Sequence, residues 1–195
     1  MAVVSIKNKL RRGNLLVGNE AYDPGGMVPI ATTVVGSGGV ASVTFSSIPQ
    51  TYSHLQLRII GRSDNATNES YIALTYNNVT TNNYTEHGIY ADGASVYANG
   101  GTGNPFAIAQ RLAGGNATSG IFGAIVIDIL DYTNTNKLKT MRSLGGVDRN
   151  GAGAIGFYSS ILTTTTDAIT RLDLKSNLGN LVQYSHFALY GIKSA

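Results

Sequence analysis

The sequence predicts an all-β protein: an antiparallel, jelly-roll-like β-sandwich of about ten short strands, led by an extended N-terminal arm. Two observations carry this reading. After residue 27, short runs alternate apolar and polar residues with period two, the repeat of a half-buried strand. Between most of these runs stand Gly, Asn or Pro, the residues that turns demand.

In chain order, Val28–Val35 runs into Gly36-Ser-Gly-Gly39, and Val40–Phe45 places Val43 and Phe45 opposite Ser42 and Thr44. In His54–Ile60, Leu55, Leu57 and Ile59 alternate with Gln56 and Arg58. Tyr71–Tyr76 precedes the polar loop Asn77–Asn83, and Tyr84–Tyr90 ends near Asp92-Gly93. Ile121–Leu130 is almost wholly apolar, which predicts a central strand covered on both faces. Lys137–Leu144, Ala154–Leu162, Ala168–Leu174 and Val182–Ile192 complete the set. Phe106–Ala113 is read as a short helix, with a strand as the alternative. Asn104-Pro105 opens it and Gly114-Gly115 closes it. No repeat of 20–50 residues and no heptad pattern is present.

The chain has 195 residues, enough for one β domain with its own core. It contains no Cys and no Trp, so disulfides, thiolate metal sites and cysteine catalysis are excluded. Charged residues make up 13%, about half the usual share for a soluble domain. A Thr/Asn/Tyr-rich surface with few charges loses little on burial against identical neighbours, and this favours an oligomer.

The net charge of +3 is unevenly placed. Lys7, Lys9, Arg11 and Arg12 lie in the first dozen residues without an acid, leaving 10 basic against 11 acidic residues elsewhere. A near-neutral body offers no broad basic face, so no nucleic-acid partner is expected. No apolar run is long enough to span a bilayer as a helix, and no signal peptide is recognised.

Residues 1–27 lack sustained periodicity and end in the breaker Asp23-Pro24-Gly25-Gly26. They are read as an anchoring arm, with 28–195 as the sandwich domain. Val3, Ile6, Leu15, Leu16 and Val17 would supply apolar contacts to a partner, while Lys7, Arg11 and Arg12 would meet acidic grooves.

Chemistry finds little support. Gly151-Ala-Gly153-Ala-Ile-Gly156 matches a dinucleotide fingerprint, but the Phe157–Thr166 stretch behind it is β-branched and Thr-rich rather than helical. His54, His87 and His186 belong to no recognised metal or triad spacing. Asp128 and Asp131, or Asp167 and Asp173, would be the carboxylate pairs of a polysaccharide depolymerase, yet Asp131–Asn136 reads as an Asx-rich turn. Sequons at Asn65, Asn68, Asn78, Asn83 and Asn116 follow from an Asn/Thr-rich composition. No catalytic residue, metal or cofactor is assigned. Of the tyrosines, Tyr84, Tyr90 and Tyr97 are candidates for surface recognition, within a Tyr/Asn/Gly-rich stretch over 71–104.

Two longer motifs stand out: Val43-Thr-Phe-Ser-Ser-Ile-Pro-Gln-Thr-Tyr-Ser-His-Leu-Gln-Leu-Arg58 and Asn180-Leu-Val-Gln-Tyr-Ser-His-Phe-Ala-Leu-Tyr-Gly-Ile192. Between them lie Tyr76-Asn-Asn with Asn83-Tyr84, Asp131-Tyr-Thr-Asn-Thr-Asn-Lys137 and Asp167-Ala-Ile-Thr170. With these motifs in this order, residues 28–193 resemble bacteriophage virion structural proteins, cyanophage ones included, found as tail-fibre, tail-associated or head-decorating subunits. Ser5–Asn19 is similar to the start of phage appendage proteins, where such a segment attaches the subunit.

The resemblance implies a non-enzymatic virion protein that assembles as a homotrimer or other homo-oligomer with further capsid or tail proteins. It carries over no catalytic residue. The alternative is a receptor- or glycan-binding appendage module that contacts the host surface.

Overall fold

The computed structural model describes residues 16–17, 20–21 and 26–193. The arm residues Val3, Ile6, Lys7, Arg11, Arg12 and Leu15 lie outside the described residues. Leu16 and Val17 form β1 (Leu16–Val17), which pairs antiparallel with β2 (Glu20–Ala21). The body follows as β3 (Met27–Val34), β4 (Val43–Phe45), β5 (His54–Gly61), β6 (Glu69–Tyr76), β7 (Tyr84–Ala91) and β8 (Val96–Asn104). Then come β9 (Ala107–Ala113), β10 (Gly123–Ile129), β11 (Lys139–Asp148), β12 (Gly153–Leu162), β13 (Leu172–Ser176) and β14 (His186–Ile192).

Twelve strands make two antiparallel sheets, ordered β3-β14-β5-β10-β11-β12-β7-β8 and β4-β13-β6-β9. The chain passes between the sheets repeatedly, giving a jelly-roll-like β-sandwich. Two strands beyond the expected ten appear. β8 is one of them, an exposed edge strand whose Gly/Asn-rich sequence has no apolar alternation to announce it. The other is β9, where the sequence favoured a helix; no helix forms among the described residues.

Local capping signals around Phe106–Ala113 give way to packing. Ala107, Ala109 and Leu112 are fully buried, and Gly145 leaves room for Gln110 of β9 against the large sheet, while its cross-strand partner Gly156 leaves room for Tyr90 of β7. A Cβ on Gly145 would lie 3.1 Å from Gln110 Cγ, and one on Gly156 would lie 2.7 Å from Tyr90 Cβ. Gln110 donates to the Gly156 carbonyl at 2.6 Å, tying β9 of the small sheet to β12 of the large one.

The core lies between the sheets. Leu55, Leu57 and Ile59 of β5, Ile125, Ile127 and Ile129 of β10, and Phe187 and Leu189 of β14 face Ile72, Leu74, Leu172 and Leu174 of the small sheet. Each buried aliphatic or aromatic side chain here stabilises the fold by about 1.5–3 kcal/mol.

The glycine fingerprint is a β-hairpin. Arg149–Ala152 turns β11 into β12, Gly151 has φ 89, and a strand stands where a dinucleotide fold needs a helix.

The expectation that Ile121–Leu130 is covered on both faces is corrected. β10 buries Ile125, Ile127 and Ile129 but turns Ala124, Val126 and Asp128 away from the core. No second layer lies over that face among the described residues, because the small sheet covers only one side of the large one.

Candidate functional site

Strand register puts the outward side chains of the large sheet into rows. One row runs Val34, His186, Ile60, Ala124, Gly146, Ile155, Ala91, Val96, and the next runs Thr32, Ala188, Arg58, Val126, Leu144, Phe157, Ile89, Ala98. Ile155 and Phe157 are 61% and 60% exposed, and Val34, Ile60, Ile89, Leu144 and Val96 are exposed with them. Apolar side chains thus stand side by side on water-facing strands. A groove of about 740 Å³ runs through them, lined by Ile89, Val126, Leu144 and Phe157.

A third, polar row borders the apolar pair. Gln56 donates to Asp128 at 2.9 Å, and Arg142 approaches Asp128 at 3.5 Å. Arg58 lies 5.8 Å from the ring centre of Tyr190. Both signs of charge therefore flank the apolar rows.

A second feature sits where β7 and β8 overhang the small sheet. The tight connection Asp92–Ser95 sets Tyr90 directly opposite Tyr97, and their rings stack at 4.9 Å. Arg111 of β9 covers the other face of Tyr90 at 4.1 Å and lies 5.1 Å from Tyr71. The result is a ladder of Tyr71, Arg111, Tyr90 and Tyr97. Glu69 holds it in place, accepting from Arg111 at 2.5 Å and from Arg149 at 3.1 Å. Burial works against the charge on Arg111, but the Glu69 hydrogen bond and the neighbouring Tyr71 outweigh it and raise its pKa.

At the outer end, Asp92 accepts from the amides of Ser95 at 2.8 Å and Ala94 at 3.0 Å, which lower its pKa, and from Tyr97 Oη at 3.1 Å. Beside the ladder opens a cleft of about 530 Å³, walled by Glu69, Asp92, Arg149 and the small residues Gly151–Ala154.

Of the three tyrosines expected at a recognition surface, the structure brings two together. Tyr90 is half-buried inside the ladder and Tyr97 is 41% exposed at its end. Tyr84 is a correction: it is fully buried, and its hydroxyl accepts from the Tyr76 amide and donates to the Val79 carbonyl, both at 3.0 Å. Burial pushes its pKa up to about 12. Alternation along β7 sends Tyr84 and Tyr90 to the same side, but Tyr84 packs on Tyr76 inside the core, whereas Tyr90 lies beyond it between Arg111 and Tyr97.

The remaining candidates have ordinary structural roles or none assigned. His54 Nδ1 accepts from the Asp131 amide at 3.0 Å, and Asp131 pairs with Lys137 at 2.6 Å. Asp173 is held by Arg171 at 2.7 Å and by Thr44 at 2.6 Å. His87 and His186 lie on the outward face of the large sheet. Among the described residues no group of three His, Asp or Glu side chains converges as metal ligands do, and no helix is long and apolar enough to cross a membrane.

Sequence reasoning missed Arg111, Glu69 and Arg149. Nothing in their spacing links them, since β6, β9 and the β11–β12 turn meet only in the fold. The Tyr90–Tyr97 pair did leave a signal: Asp92-Gly93 between two tyrosines is a hairpin turn.

No protein-family model matches the chain, and no curated protein matches it. Among solved structures, galectin LEC-6 of Caenorhabditis elegans is similar over 84% of this chain and 96% of its own, with 11% identity and a TM-score of 0.30.

Proposed function

We propose that the protein is a non-enzymatic bacteriophage virion subunit whose sandwich body packs against further copies of itself while residues 1–27 hold it to the capsid or tail. The observation that carries this is the outward face of the large sheet. β10 buries Ile125, Ile127 and Ile129 under the small sheet, and the apolar rows on its other side lack a second cover among the described residues. The second cover is another copy.

The size fits. Seven strand spacings of about 4.8 Å by two or three rows give roughly 500–700 Å², close to the ~800 Å² per partner of a stable interface. Asp128 and Arg142 beside the apolar rows, and Arg58 within one of them, let a symmetry-related copy set acid against base. The low charge of the body lowers the desolvation cost of such packing.

Two measurements test the reading. Light scattering on the purified protein is expected to give a trimer or other closed oligomer, and a monomer at about 100 μM overturns the self-packing. Phage carrying a deletion of residues 2–26 is expected to lose the subunit from its particles. Wild-type occupancy would show that the arm is not the anchor.

A further inference from the structure

The assembly reading uses the outward face of the large sheet but not its free edge, β8. From the hydrogen-bonding pattern of that edge we infer that β8 pairs antiparallel with β8 of a second copy, about a two-fold axis at Ala98, joining two large sheets into one.

A free edge is a row of unbonded amides and carbonyls whose natural complement is another strand. The hairpin shows which residues of β8 carry them. The Asp92 amide donates to the Ser95 carbonyl at 3.2 Å, so these two residues form a bonded pair. Antiparallel pairs alternate between bonded and non-bonded. Tyr97 and Asn99 are therefore bonded to Tyr90 and Gly88, whereas Val96, Ala98 and Gly100 turn their amides and carbonyls away from β7. Every residue from Val96 to Gly100 is exposed.

Long edges are ordinarily protected by charge, proline or a bulge. Over Val96–Gly101, β8 has none of these: no charged residue, no proline, and a register shift only beyond the Glu86–Gly101 pair. The other edges differ. β3 contains Pro29, which has no amide hydrogen, and its register shifts beside it. β4 has three residues, and β9 carries Arg111.

The occupant that matches the edge is β8 itself. With Ala98 on the axis, Val96 lies opposite Gly100 of the copy and Ala98 opposite Ala98, so each outward amide meets a carbonyl and about six main-chain hydrogen bonds form. The side chains that meet are small and uncharged, and a strand facing its own copy suffers no like-charge repulsion. On the other face, Tyr97 is stacked on Tyr90 and still 41% exposed, and Asn99 of the copy comes to lie opposite it. The apolar rows, which end at Val96 and Ala98, run on into the second sheet.

The test is hydrogen exchange of the full-length protein, read at single residues by fragmentation mass spectrometry at about 1 and about 100 μM. The amides of Val96, Ala98 and Gly100 are expected to exchange at least about tenfold more slowly at the higher concentration, with those of Tyr97 and Asn99, bonded to β7, as the reference. Ala98→Pro deletes the central outward amide at a position where an edge strand tolerates proline. It is expected to abolish the protection of Val96 and Gly100 and to weaken association at least about tenfold in sedimentation equilibrium, with thermal unfolding unchanged. Phe157→Asp, on the outward face, is expected to leave the β8 protection in place.

Exchange that does not slow with concentration would overturn the inference, as would association indifferent to Ala98→Pro. Protection equal at both concentrations would show that a segment of the same chain covers the edge, and would overturn it too. Copies that associate through the outward face with β8 unprotected would sink this inference and leave the assembly reading standing. Protected β8 amides with association indifferent to Phe157→Asp would do the reverse.

Discussion

The two sheets obey the same alternation but turn opposite chemistries to the outside. Beyond the core, the small sheet presents Thr44, Asp173 and Lys175, tied by Thr44–Asp173 and Arg171–Asp173 contacts. The large sheet presents Ile60, Val126, Leu144, Phe157, Ile89 and Ile155 at the equivalent outward positions. Water and ion pairs satisfy the charged and hydroxyl groups of the first face. The second leaves apolar surface unburied that a neighbour would cover. The contrast separates what holds the monomer together from what would hold copies together, and substitutions can pull the two apart.

The largest effect belongs to the shared inner layer. Phe187→Ala removes a fully buried ring from between the sheets and is expected to destabilise the monomer by about 3–5 kcal/mol, read by denaturant unfolding. Next is the outer face of the large sheet. Phe157→Asp is expected to weaken self-association by roughly a hundredfold, about 3 kcal/mol, in sedimentation equilibrium while sparing the fold. Lys175→Glu on the outer face of the small sheet is the counterpart and should leave association unchanged. Equal effects from the two would erase the distinction between the faces.

A smaller loss is expected at Tyr84, where Tyr84→Phe keeps the packed ring and removes two hydrogen bonds. It should cost about 1–2 kcal/mol by chemical denaturation, the signature of a structural rather than a recognition residue.

The smallest effects are in pH dependence and have opposite signs. Asp173 is held below the usual carboxylate range by Arg171, so its stabilisation is complete above the unfolded value near 3.9 and fades as pH falls through the folded pKa. Glu86, on the core side of β7 with one carboxylate oxygen unpartnered, is pushed up by burial. Its contribution is present below the unfolded value near 4.3 and is lost as pH rises through the folded pKa. Thermal unfolding between pH 3 and 7 should therefore show Asp173→Asn flattening the acid limb, and Glu86→Gln raising stability at neutral pH.

Where burial writes a period into the chain, the fold was legible. β5 reads directly as Leu55, Leu57 and Ile59 inward against Gln56 and Arg58 outward, and that is how it lies. β8 was not legible, because a Gly/Asn-rich edge strand with no face to bury carries no period. β9 misled through its local helix caps, whose effect is smaller than that of packing Ala107, Ala109 and Leu112 into the core. β10 was over-read: its apolar run suggested cover on both faces, but only Ile125, Ile127 and Ile129 are buried, while Ala124, Val126 and Asp128 face away from the core. At the ladder, the hairpin around Asp92-Gly93 announces Tyr90 and Tyr97, whereas Glu69, Arg111 and Arg149 come from three distant segments that only the folded sandwich assembles.

The position of β14 bears on timing. This strand comes last in chain order among the described strands, yet it lies inside the large sheet, between β3 and β5. Until it arrives, β3 has no partner of its own and His186, Ala188 and Tyr190 are missing from the outward rows. Pairing of residues more than 150 positions apart is a slow, non-local step. A growing chain would therefore display a complete outward face only after all the other strands of the body have been made.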